Sequence, residues 1–246
     1  MVTSFALAIT LCFTNVAHAS CRQALTLGLD VSGSVDADEY HMQINGLTSA
    51  LENKSVVKSL LRSSTAPVFL SVFEWSGPDA QNLLVPWTAV ESATTLAGIT
   101  AQLRETPRKK MDVSTGLGPA MQFGAELLQT VPDCWRWTLD ISGDGTANTG
   151  PLPRDISMPP HITVNALVIG PGVSRPTGES REETAGLVAY FEARVIQGAD
   201  AFVEVANGFE DYEAAMTRKL LRELQGLSMV GATQSTASDT VWLAHN

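Results

Sequence analysis

From Leu25 the chain runs Leu25-Thr26-Leu27-Gly28-Leu29 and then meets Asp30-Val31-Ser32-Gly33-Ser34. A short apolar run closed by small polar residues predicts a buried strand over 25–31. The period then changes. Tyr40, Ile44, Leu47 and Leu51 recur at helical spacing, behind Asp36 as an N-cap and Glu39 three residues further on. Residues 55–62 predict a short second helix. Strands are predicted over 68–73 and 82–87, and Ser76-Gly77-Pro78-Asp79 between them predicts a hairpin turn. Helices follow over 93–103 and 114–128, the latter with Leu117, Met121, Ala125 and Leu128 on one face. Residues 137–142 predict a strand ending in Gly143-Asp144-Gly145, and 162–169 one ending in Gly170-Pro171-Gly172. A helix over 182–195, a strand over 201–205 and a helix over 211–224 complete the alternation. Residues 227–246 are small and polar, with Trp242 and Leu243 near the end, and predict a loose tail.

Alternating strands and helices predict an α/β fold: a Rossmann-like three-layer sandwich with helices on both faces. Its central sheet is expected to be mostly parallel, with about six strands and one antiparallel edge strand. Neither an internal repeat nor a long linker divides the chain, so a single domain is expected over 20–226. In such sheets ligands bind beyond the C-terminal ends of the central strands. Asp30 and Asp144 both fall at such ends, which makes them a candidate pair.

Charge narrows the partners. The 246 residues carry 16 Lys+Arg against 26 Asp+Glu, a formal charge of −10, and that balance argues against nucleic-acid binding. Residues 1–19 contain no charged side chain, have an apolar centre and end in Ala17-His18-Ala19, an A-x-A cleavage signal. A signal peptide over 1–19 is therefore expected, and with it a periplasmic or secreted location. Its apolar run is shorter than the roughly 18 residues of a membrane span. No integral membrane segment is expected in the mature chain.

Export gives the cysteines meaning. Cys12 would leave with the signal, so Cys21 and Cys134 remain, and an exported pair points to a disulfide. Cys21 lies nine residues before Asp30 and Cys134 ten before Asp144, each near the start of its strand. If those strands are parallel neighbours, their starts lie ~5 Å apart, which suits a disulfide. Two free buried thiols are the alternative.

Asp30, Ser32 and Ser34 are hard oxygen donors of the kind Mg²⁺ or Mn²⁺ prefers. With Ser114 and Thr115 before a helix and Asp144-Gly145 after a second strand, the pattern resembles the metal-ion-dependent adhesion site of von Willebrand factor type A domains. Those domains carry Asp-x-Ser-x-Ser on a first loop, Thr on a second and Asp-Gly on a third. The resemblance spans roughly 22–226. It is strongest to an uncharacterised bacterial secreted branch of that family, through Leu29-Asp30-Val31-Ser32-Gly33-Ser34-Val35-Asp36, Asp140-Ile141-Ser142-Gly143-Asp144-Gly145 and Ala201-Phe202-Val203-Glu204-Val205. It implies that Ser32 and Ser34 bind Mg²⁺ or Mn²⁺ directly. Asp30 and Asp144 set charge and hold waters, and Thr115 alternates between direct and water-mediated contact. The implied partner is a protein that offers an Asp or Glu carboxylate as the remaining ligand. One departure is Val113-Ser114-Thr115, where many members have Gly before the Thr; Ser114 is then an alternative hydroxyl.

Other readings compete. A metal-independent interaction domain needs none of these ligands, and a metal-dependent hydrolase would need a general base. No G-x-S-x-G, P-loop or H-E-x-x-H motif is present. Asp144-Gly145-Thr146-Ala147-Asn148 hints at an EF-hand but lacks its Gly and the following helix. Asp140 sits four residues before Asp144, roughly 13 Å back along a strand, so a structural role is expected. Asp36 and Asp38 are expected as helix caps, and 107–110, with Arg108, Lys109 and Lys110, as a solvated loop rather than an anion contact.

Overall fold

The computed structural model describes residues 21–63, 65–131, 133–172 and 178–224. The expected signal segment and tail, 1–19 and 227–246, lie outside the described residues. The strands are β1 (Gln23–Asp30), β2 (Val68–Trp75), β3 (Gln81–Val90), β4 (Trp137–Gly143), β5 (Ile162–Ile169) and β6 (Val203–Ala206). The helices are α1 (Ala37–Glu52), α2 (Lys54–Leu60), α3 (Ala93–Glu105), α4 (Leu117–Leu128), α5 (Gly178–Arg194) and α6 (212–224).

All eight β1 residues are buried, as expected for a strand covered on both faces. The strands form one six-stranded sheet in the order β3-β2-β1-β4-β5-β6. Only the β2–β3 pair is antiparallel, so the antiparallel strand sits at an edge. Pro86 falls within β3, at an edge where a missing N–H is tolerated, and the register shifts nearby. Side chains alternate across β1. Leu25, Leu27 and Leu29 face a core built with α1, α2, α3 and α6. The opposite core, with Ala24, Phe73 and Leu139, is covered by α4 and α5. This is the three-layer sandwich.

Local chemistry sets α1. Asp36 accepts from the Asp38 and Glu39 amides, and Glu39 accepts from the Asp36 amide, which completes a capping box. At the starts of β1 and β4, Cys21 and Cys134 form a disulfide with Cα atoms 4.5 Å apart.

Asp140 is buried on the α6 side of β4, where its carboxylate pairs with Lys219. Lys219 also lies 3.0 Å from Glu223, whose other partner is the Asn165 amide at 2.7 Å. Asp140 is thus held as a buried charge must be, by pairing. Burial pushes the Lys219 ammonium down from its ordinary pKa, while Glu223 opposes that shift.

Candidate metal centre

The sheet order makes β1 and β4 neighbours, with Leu29 opposite Ser142. Asp30 and Asp144 therefore emerge side by side at the C-terminal ends of the central strands. The Ser32 amide donates to Asp30 Oδ1 at 2.8 Å, an Asx turn that swings the first loop across the strand ends. Two neighbours brace that turn: Gln43 Nε2 donates to the Asp30 carbonyl at 3.0 Å, and the Val31 amide to the Trp75 carbonyl at 2.9 Å.

All five predicted residues meet. Ser34 Oγ donates to Asp144 Oδ1 at 2.7 Å, Ser34 Oγ lies 3.3 Å from Ser32 Oγ, and Thr115 Oγ1 lies 3.4 Å from Ser32 Oγ. These spacings bracket the about 3 Å edge of an octahedral Mg²⁺ shell with 2.0–2.1 Å bonds. The donor set is wholly oxygen, as a hard cation requires. Among the described residues, no group of three or more His, Cys, Asp or Glu side chains could hold a metal. A cation here would depend on the hydroxyls.

Asp30 supplies the strongest sign of a fit. It is fully buried, and its Oδ2 has no hydrogen-bond partner. A buried carboxylate oxygen without a donor is costly, and a cation would meet that need. Burial, with the Asp144 charge adding to it, pushes the Asp30 carboxyl up to about 7. Burial also raises Asp144, against the hydrogen bond from Ser34.

The second loop differs from expectation. The helix begins at Leu117, not at 114, because the preceding backbone is tied elsewhere: the Gly116 amide donates to the Ser76 carbonyl at 2.6 Å. That leaves Thr115 outside the helix with its hydroxyl in the cluster. Ser114 is no alternative, since its Oγ and amide both donate to Asp112 Oδ1. The first loop touches the second where Gly33 donates to the Val113 carbonyl at 2.9 Å. A Cβ on Gly33 would lie 2.8 Å from that carbonyl oxygen, so only glycine permits the approach.

Two contributors were missed in the sequence. Arg108, expected in a solvated loop, donates to the Val35 carbonyl and lies over the Tyr40 ring, 5.7 Å from its centroid. Its signal, a basic residue in a Pro-containing loop, was too common to read. Asn148 accepts from the Thr115 amide at 2.8 Å, and its own amide donates to the Thr115 carbonyl at 3.0 Å. Its place in the Asp144-to-Asn148 loop was visible, but not its direction.

The model for the family "Protein of unknown function (DUF1194)" matches residues 20–228. The chain belongs to that family. No curated protein matches it. Among solved structures, this DUF1194 chain is similar to a von Willebrand factor type A protein from Catenulispora acidiphila, with TM-score 0.50 and 11% identity over 83% of this chain and 42% of that one. It is similar to the pilus adhesin SpaC of Lactobacillus rhamnosus GG in its open conformation, with TM-score 0.55 and 14% identity over 87% and 31%. It is also similar to proximal thread matrix protein 1 of the mussel byssus, with TM-score 0.55 and 12% identity over 84% and 47%. The DUF1194 chain thus spans less than half the length of each. The fold is that of a von Willebrand factor type A domain.

Proposed function

We propose that this protein is an exported, divalent-metal-dependent protein-binding module of the adhesion type. Ser32, Ser34 and Thr115 offer hydroxyls to Mg²⁺ or Mn²⁺, while Asp30 and Asp144 supply negative charge and orient waters. The cation would supply an electrophilic position that captures an Asp or Glu carboxylate of a partner protein. The unpartnered, buried Oδ2 of Asp30 carries this reading. Hydroxyl donors leave most of the ion's positive charge unneutralised, which favours an external anion on a protein that is itself acidic. A cleft of about 510 Å³ opens beside Asp144, with Met42, Ile169, Leu187 and Phe209 among its lining residues, and gives a partner segment room to lie.

A binding role is favoured over hydrolysis by where the histidines lie. His41 packs on Tyr40, and His161 packs on Trp137 at the start of β4. Among the described residues these are the two histidines, and neither stands in the oxygen cluster. Among the described residues no helix is long and apolar enough to cross a membrane. Export as a module over 20–226 rests on the A-x-A signal that closes residues 1–19.

Thermal melting tests the metal. Mg²⁺ or Mn²⁺ at a hundred times its Kd is expected to stabilise the fold by about 2.7 kcal/mol. The double variant Asp30→Ala with Ser32→Ala is expected to lose the shift. An unchanged wild-type melting temperature at saturating concentrations of both ions would refute the reading.

A further inference from the structure

We propose that Asn148 is the positioning residue that holds Thr115 to the cation, an inference that rests on the metal reading above. Both backbone groups of Thr115 go to this one residue. The Thr115 N–H donates to Asn148 Oδ1 at 2.8 Å, and the Thr115 carbonyl accepts from the Asn148 N–H at 3.0 Å. The pairing resembles a rung of a sheet, yet neither residue lies in a strand.

The other ties of the second loop fall on Thr115's neighbours. Val113 is bonded to Gly33 of the first loop, and Gly116 to Ser76 at the end of β2. The Gly116 N–H shares its peptide plane with the Thr115 carbonyl, so Ser76 and the Asn148 amide fix that plane together, while Asn148 Oδ1 ties the plane that precedes Thr115. Threonine is β-branched and has few side-chain rotamers, so fixing its backbone restricts where Oγ1 points. That aim matters because the 3.4 Å step from Thr115 Oγ1 to Ser32 Oγ is the longest in the oxygen cluster. The third loop is itself anchored, through the Ala147 amide to the Tyr190 hydroxyl of α5 at 3.2 Å. Asn148 is exposed, so replacing it leaves both cores intact. One residue of the third loop therefore joins the loop that carries Asp144 to the loop that carries Thr115.

Residues that orient metal ligands from behind are commonly worth 10–100-fold in metal affinity. Titration calorimetry of the full chain with Mn²⁺ and with Mg²⁺ is the test, comparing wild type, Asn148→Ala and Asn148→Asp. The alanine variant is expected to bind about 10–100-fold more weakly. Its metal-free melting temperature is expected to fall by no more than about 6 °C, the loss that one hydrogen bond allows in a chain this long. Asn148→Asp keeps the Oδ1 acceptor and is expected to restore the affinity. Hydrogen exchange of the Thr115 amide in metal-free protein gives a readout without any ion: slow in wild type and in Asn148→Asp, fast in Asn148→Ala. Wild-type affinity retained within twofold in Asn148→Ala, or an unchanged Thr115 exchange rate, would overturn the latch while leaving the metal reading intact. A wild type that binds neither ion would overturn the metal reading, and the role of Asn148 toward a cation with it.

Discussion

At the scale of single residues, Asp30 carries the clearest conflict. Its carboxyl is raised to about 7 by burial and by the charge of Asp144. A group with a raised pKa binds its proton more tightly in the folded chain than in the unfolded one. Between the ordinary value near 4 and about 7, the folded state therefore holds more protons, and stability falls as pH rises. The full penalty, up to about 4 kcal/mol from this group, stands above about pH 7. A cation replaces the proton, so metal-induced stabilisation is expected to grow from pH 5 to pH 8. Asn at this position has no charge to bury. In chelator, Asp30→Asn is expected to gain stability relative to wild type as pH rises from 5 to 8, and to lose all response to Mg²⁺. Urea unfolding at both pH values measures this, and a constant difference between the two proteins would contradict it. The two carboxylates, two serines and threonine could be grouped in the sequence through the resemblance to the adhesion-site motif, helped by their places beside recognisable elements. Asn148 and Arg108 were not, because their partners lie 33 and 73 residues away.

At the scale of elements, local signals and distant contacts divide the work. The α1 capping box was legible because Asp36 and Glu39 satisfy each other's amides within one turn. The start of α4 was not: Gly116 spends its amide on Ser76 of another element, which no helical periodicity reveals. α6 shows the same division. A helix over 211–224 could be read, but Lys219 meets Asp140 from 79 residues away. Lys219→Met would leave Asp140 and Glu223 buried without their cation, and is expected to cost about 3–5 kcal/mol in urea unfolding. Adding Asp140→Asn and Glu223→Gln removes the stranded charges and is expected to recover most of that loss. A single variant as stable as wild type would show that the triad does not support the docking of α6.

At the scale of the molecule, one sheet carries everything. The C-terminal ends of β1 and β4 present the oxygen cluster, and their starts are joined by Cys21 and Cys134. The bond spans 113 residues, so in a chain-entropy account it restricts the unfolded chain strongly. Cys21→Ser with Cys134→Ser is expected to lower stability by about 2–5 kcal/mol. Metal affinity is expected to stay within a few-fold of wild type, because the cluster lies at the far ends of both strands. Calorimetric melting in the presence and absence of Mn²⁺ separates the two effects. A loss of metal response in the folded double variant would show that the bond shapes the site as well as stabilising the fold.

The amino-acid sequence alone determined the alternation of strands and helices, the cap of α1 and the residue types offered to a cation. These depend on hydrophobic period, turn chemistry and side-chain donors, all of which act within a few residues. Only the tertiary structure decided that β1 and β4 are neighbours. It alone placed Thr115 outside the helix with its hydroxyl beside Ser32, and gave Asp140 its partner in Lys219. It also decided that Asn148 closes on Thr115. Each of these is a contact between elements distant in the chain, and such contacts exist only once the order of strands in the sheet brings loop ends together.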